Sequence, residues 1–253
     1  MNGSVMERPM ERLPDADTLD SQAASLLVRA ASGLRRIAQF HADAPSVAFM
    51  TGLHAAPLHA TFALHLDRDD AHQAMALIDE VVSDLPAPVT EESLAALWAE
   101  HTAIYHSGLY RTDPTETAWL GEDGHPPSGP VHDTRHSDRA VTNAESLPPA
   151  DHLVSGLLQL AILLERGDIL CATAAMDEHL LRWVPAFCSR VATRCREPFY
   201  AGVAILTNAH LDHLRDLLAA SGGPARPTED GTTDTRRRRW TEGRVPRTCG
   251  GDA

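Results

Sequence analysis

Apolar residues return along this chain at helical spacing in one stretch after another. Leu27, Ala31, Leu34 and Ala38 step by four, three and four, the interval that keeps side chains on one face of an α-helix. Leu94, Leu97, Trp98, Ile104 and Tyr105 mark a second face, Leu153, Leu157, Leu160 and Leu164 a third, and Leu180, Val184, Phe187, Val191 and Cys195 a fourth. Val203, Leu206, Leu214 and Leu217 give a fifth. Thr90 is placed to cap the second of these helices, with Glu91 and Glu92 at the positive end of its dipole. Pro198 suits the first turn of the last helix, where its missing N–H costs nothing. Segments 46–66 and 70–83 are also predicted to be helical, with Pro57 as a break. No sustained alternation or β-branched run bounded by turn residues argues for strands.

The pattern therefore predicts an all-α fold, a helical bundle with a long loop or hinge between its N- and C-terminal parts. A flexible N-terminus covers 1–20 and the N-terminal helical part 21–110. Residues 111–147, rich in Pro and Gly, form the loop or hinge, a length that is usually functional inside a compact domain. The C-terminal helical part covers 148–220. Residues 221–253 are polar and breaker-rich and are expected to be disordered. With no apolar face to dock, their removal after Ala220 is expected to leave stability nearly unchanged.

Composition narrows the function classes. The 253 residues suffice for a core without disulfide or metal staples. The four cysteines, Cys171, Cys188, Cys195 and Cys249, form no CxxC pair and read as reduced thiols. No apolar leader segment and no membrane-length apolar run is found, which predicts a cytoplasmic protein. All 22 basic residues are arginine. Without lysine there is no Walker A site and no Schiff-base chemistry. The formal net charge is −13, and the first 220 residues alone carry fifteen arginines against thirty acids. Such a body repels nucleic acid and attracts basic segments.

Catalytic constellations are thin: no GxSxG, HExxH or GxGxxG is present. Fourteen histidines raise a metal reading, with His132 and His136 four apart, His210 and His213 three apart, and His101 and His106 five apart. A structural zinc site wants four convergent N or S ligands, so no metal site is assigned. His210 and His213 are expected on the polar edge of the last helix. Cys188 and Cys195, seven apart, read as buried inert thiols. The Arg236–Arg239 run before Trp240 reads as a solvated basic tail.

The block from Leu147 onward carries an ordered set of elements: Pro149, Asp151, His152 and Leu153 opening one helix; His179, Leu180 and Trp183; then Pro198, Phe199 and Tyr200 opening the last. Upstream lie Glu100, His101, Ile104 and Tyr105, and the run Pro114-Thr115-Glu116-Thr117-Ala118-Trp119. In this order and spacing the chain resembles the TorD/DmsD/NarJ-like assembly chaperones of molybdenum oxidoreductases, over roughly residues 20–218. Thr115 and Thr117 stand where that family has an aromatic and a serine. The resemblance implies a non-enzymatic, cytoplasmic chaperone without a cofactor of its own, monomeric or homodimeric. Its partner would be a molybdopterin-containing catalytic subunit, bound through a twin-arginine leader while cofactor is inserted. Candidate clients are enzymes acting on dimethyl sulfide, chlorate, selenate or hydrocarbons, and terminal reductases.

A leader of that kind needs carboxylates for its arginines and an apolar groove for its helix-prone part. Asp151, His152, Trp119, Glu116 and Tyr105 are the candidate client-contact residues. Asp151 has a structural reading too, satisfying free N–H groups at the helix start while His152 packs on the neighbouring turn. Trp183 falls on a buried face, whereas Trp119, in the loop, is expected as an exposed anchor. Alternatives from other classes are a His-rich helical metal-binding protein or enzyme, and a scaffold subunit of a larger assembly.

Overall fold

The computed structural model describes residues 16–107, 111–120 and 148–226. Ten α-helices appear among them: α1 Ala16–Ala42, α2 Val47–Ala55, α3 Leu58–Thr61, α4 Asp69–Ser83, α5 Ala95–His101, α6 Thr117–Leu120, α7 Leu153–Glu165, α8 Ile169–Ala175, α9 Leu181–Arg194 and α10 Pro198–Ala220. No strand is formed among the described residues beyond one isolated bridge between Thr115 and His152. The all-α expectation is met.

Helix α1 lies along α7, while α10 lies along α4 and α9 and also touches α1. The N- and C-terminal parts therefore interleave around one core rather than closing separately. The first, third and fourth stripes read from the sequence are buried in it, with only Cys195 half-covered. Helix α10 approaches α4 closely at Gly202, where a Cβ would sit 2.7 Å from the Ala74 carbonyl oxygen and 2.8 Å from Ile78 Cγ1. Only glycine lets the two backbones meet at that distance.

Local signals act largely as read. Thr90 Oγ1 accepts from the Ser93 N–H, and Ser93 Oγ accepts from the Thr90 N–H, which caps the turn leading into α5. Pro198 is the first residue of α10. Pro57 separates α2 from α3 and offers no side-chain cap, so Asp79 of α4 reaches across to accept from the Leu58 and His59 N–H groups. Two helices widen into π-turns, Thr102–His106 after α5 and Met176–Leu180 between α8 and α9.

Three expectations are corrected. The last part of the segment expected to be helical, 62–66, is not helical. Leu64 and Leu66 are buried on either side of exposed His65, so this link is held by burial rather than by helical hydrogen bonds. The segment 111–120 is not bare loop: it carries α6 and the bridge to His152. Finally, 221–226 is packed on the body. Gly223 N–H donates to the Leu218 carbonyl, and Arg226 is buried against α10. Residues 1–15, 121–147 and 227–253, including Cys249, His132, His136 and the Arg236–Arg239 run, lie outside the described residues.

Candidate functional site

Segments distant in sequence meet at the N-terminus of α7. The Leu153 N–H donates to the Pro114 carbonyl at 2.8 Å and the Glu116 N–H to the Asp151 carbonyl at 2.9 Å, which lays 114–116 antiparallel to 151–153. The Thr112 N–H donates to the Ile104 carbonyl, tying the same segment to the π-turn after α5.

The helix start is capped differently from the sequence reading. His152 is the N-cap, and its Nδ1 accepts from the Val154 N–H at 3.2 Å. An accepting Nδ1 is unprotonated, so the ring is neutral with its proton on Nε2, in keeping with burial, which lowers its pKa. Asp151 does not cap. Its carboxylate accepts from Thr117 Oγ1 at 2.8 Å and so holds α6 against α7. The cap expected of Asp151 is thus supplied by His152.

Glu116 is buried, with both carboxylate oxygens 3.2 Å from His179 Nδ1. That partner raises the His179 pKa; burial opposes it, Glu178 adds to it and Arg182 subtracts. The pair contributes stability that is fully present below the unfolded histidine value of 6.5 and is lost as pH rises through the raised folded value. Glu116→Gln should therefore lower the melting temperature most at about pH 6 and least in mild alkali, and should move the His179 NMR titration toward lower pH. An unchanged His179 titration in that variant would show that the two side chains are not coupled.

Beneath this polar layer lies an aromatic one. Phe187 of α9 has Trp183, His41, Trp119 and Tyr105 around it at centroid distances of 5.9, 6.0, 6.3 and 6.3 Å. Trp119 is half-buried, donates from Nε1 to the Asp113 carbonyl, and lies under the Arg190 guanidinium at 5.0 Å. It is not an exposed anchor, because α6 turns it back onto α9. Trp183 is core, as read. Tyr105 is buried, its hydroxyl 2.6 Å from His41 Nδ1. Thr207 donates to the Val203 carbonyl and so must accept from His41 Nε2–H, leaving Nδ1 to accept from Tyr105. Burial pushes the His41 pKa down to about 3 and Tyr105 well up, so both stay neutral.

The five candidate residues thus converge, but only in part at the surface. Asp151, His152 and Trp119 are half-buried, and Glu116 and Tyr105 are covered. Exposed carboxylate for an arginine is scarcer here than the sequence suggested, because Glu116 is already spent on His179.

Other features were not singled out from sequence. A cleft of about 690 Å³ beside α4 is lined by His59, His65, His72, Asp79 and Glu80 among others, with His59 Nδ1 2.6 Å from Asp79 Oδ2. Among the described residues no three His, Cys, Asp or Glu side chains are grouped to hold a metal ion. His210 is fully buried, Nε2 donating to the Ala30 carbonyl at 3.2 Å, so it does not line a polar edge as expected. Cys188 is buried and Cys195 half-buried, and burial raises both thiol pKa values, the latter to about 11. The largest omission is an ionic network. Asp212 pairs with Arg68 and Arg226, Arg226 also with Asp216, and Arg215 with Asp177. Asp212 and Arg215 sit on a helix covered on most sides, so each demands a partner, and that demand was a readable signal.

Among the described residues no helix is long and apolar enough to cross a membrane. Compared with known proteins, the chain matches no family model, and no curated protein and no solved structure is recognisably similar to it.

Proposed function

We propose that this protein is a cytoplasmic, non-enzymatic assembly chaperone that binds the catalytic subunit of a molybdopterin oxidoreductase through its twin-arginine leader. One observation carries the reading. Three of the elements that gave the resemblance, 114–119, 151–153 and 179–183, lie far apart in sequence yet meet at the start of α7, while 198–200 packs against Phe40, Leu97 and His101. The acidic balance of the first 220 residues supports it further, since a basic leader is drawn to such a body.

Asp151 and the outer edge of Trp119 are the client-facing parts of the cluster; Glu116, His179 and Tyr105 hold them in place. Calorimetric titration with a peptide spanning the leader of a co-encoded molybdenum subunit should give micromolar or tighter binding, on the order of 8 kcal/mol. Added salt should weaken it only partly, because the apolar share is not screened. Asp151→Ala should weaken binding about tenfold, the effect of one charge-assisted hydrogen bond. Protein that binds neither this peptide nor any other part of the neighbouring subunit would end the chaperone reading.

A further inference from the structure

Beyond α10 the chain turns back over its own helix end. Residues 221–226 read Ser-Gly-Gly-Pro-Ala-Arg, and only the last has a large side chain. Gly222 takes a positive φ of 91°. Gly223 passes so close to the body that a Cβ would meet the Leu218 carbonyl oxygen at 2.7 Å and Ile169 Cγ2 at 2.9 Å. The segment is held as a bound peptide would be. Its backbone is engaged at Gly223 N–H, donating to Leu218, and at the Ala225 carbonyl, accepting from Arg215 Nη2 at 3.1 Å. Its one anchor is Arg226, which donates to Asp212 Oδ1 at 2.5 Å and Asp216 Oδ1 at 3.2 Å. Beside it Arg215 Nη1 is buried without a hydrogen-bond partner. Gly222, Pro224 and Ala225 are exposed, and the Asp216 side chain opens to solvent.

We infer that Asp212 and Asp216 form an arginine-recognition pocket, which Arg226 fills as an internal surrogate and from which an arginine-bearing segment of a partner displaces residues 221–226. The acidic pair is a site because a guanidinium is seated in it. It is exchangeable because Arg226 is the segment's one large side chain and Gly222, Pro224 and Ala225 are exposed, the build in which one buried arginine carries the binding. The Nη1 of Arg215 offers an incoming segment a hydrogen-bond donor that the resident one leaves unused. A tether of five residues holds Arg226 at an effective concentration in about the millimolar range, so a free peptide at micromolar concentration is excluded while Arg226 is seated. The pocket asks for an arginine preceded by small residues, and holds whether or not the client is a molybdenum enzyme.

The test uses the full chain and a synthetic octapeptide of residues 221–228 as the probe, added in trans. The parent should bind it weakly. Arg226→Ala should bind at least tenfold more tightly, Asp212→Asn in that background should lose the gain, and a peptide with alanine for its arginine should not bind. Because Arg226→Ala strips a partner from buried Asp212, Gly223→Ala serves as a second variant. It removes no ionic side chain but lifts the backbone and so unseats Arg226, and should also admit the peptide. Equal affinity in parent and both variants, or equal binding of the arginine and alanine peptides, would overturn the proposal.

Discussion

Acidification should destabilise this protein steeply, with an uptake of more than two protons per molecule on unfolding between about pH 5.5 and 4.5. The cause is three buried histidines. Burial is the largest influence on each and pushes His41 down to about 3 and His101 and His210 to about 4, from an ordinary value of 6.5. All three stay neutral in the fold while the unfolded chain takes up protons below 6.5. The unfolded state then binds more protons, so stability falls as pH falls from 6.5 toward the folded values. Each contributes a slope of about 1.4 kcal/mol per pH unit, and three together about 4. Against a stability of about 5–15 kcal/mol for a domain, two to three pH units suffice. His152, also lowered by burial, adds in the same direction. His179, raised by Glu116, adds no slope here, because it is protonated in both states below 6.5.

Urea unfolding across a pH series gives this slope directly. His101→Phe should reduce the proton uptake by about one while keeping the ring packed against Tyr105, whose centroid lies 4.6 Å away. The buried His101 Nε2 has no hydrogen-bond partner among the described residues, so the apolar ring should be tolerated at neutral pH. A slope of less than one proton in the parent would mean that the three rings reach water in the native state.

These histidines also show where sequence reading ends. Helical periodicity located the core faces, because a stripe such as Leu153, Leu157, Leu160 and Leu164 is a local property and all four are buried. Caps at Thr90 and Pro198 were legible for the same reason. A histidine's partners leave no local mark in the sequence. His210 stands four residues from both Leu206 and Leu214, on their apolar face, but its partners, Phe62 and the Ala30 carbonyl, lie across the core. Its surroundings come from α1 and the α3–α4 link, roughly 150 to 180 residues away, which no window along the chain can see. The candidate site divides along the same line. Its elements were visible as motifs; their roles depended on partners, so the cap passed from Asp151 to His152 and the anchor Trp119 folded inward.

Arg215 should prove the most stability-sensitive charged residue of the described part. Its side chain has 0% exposure, and its guanidinium grips Asp177 with both prongs, Nε to Oδ1 at 2.9 Å and Nη2 to Oδ2 at 2.8 Å. Asp177 belongs to the π-turn between α8 and α9, so this pair fastens α10 to the turn that also carries His179. Arg215→Ala leaves the Asp177 carboxylate largely buried with its charge uncompensated and opens a void, an expected loss of about 3–5 kcal/mol. Arg215→Lys keeps the charge but not the planar fork, and should lose less. The double variant Arg215→Met, Asp177→Leu removes both charges while keeping bulk, and should recover much of the loss, since desolvation of a buried pair offsets most of its attraction. Urea unfolding of the four proteins measures these differences. If Arg215→Ala lost less than about 1 kcal/mol, the pair would be reaching solvent like an exposed salt bridge. A double variant no more stable than Arg215→Ala would instead mean that the guanidinium's bond to the Ala225 carbonyl, and with it the seating of 221–226, is what α10 depends on.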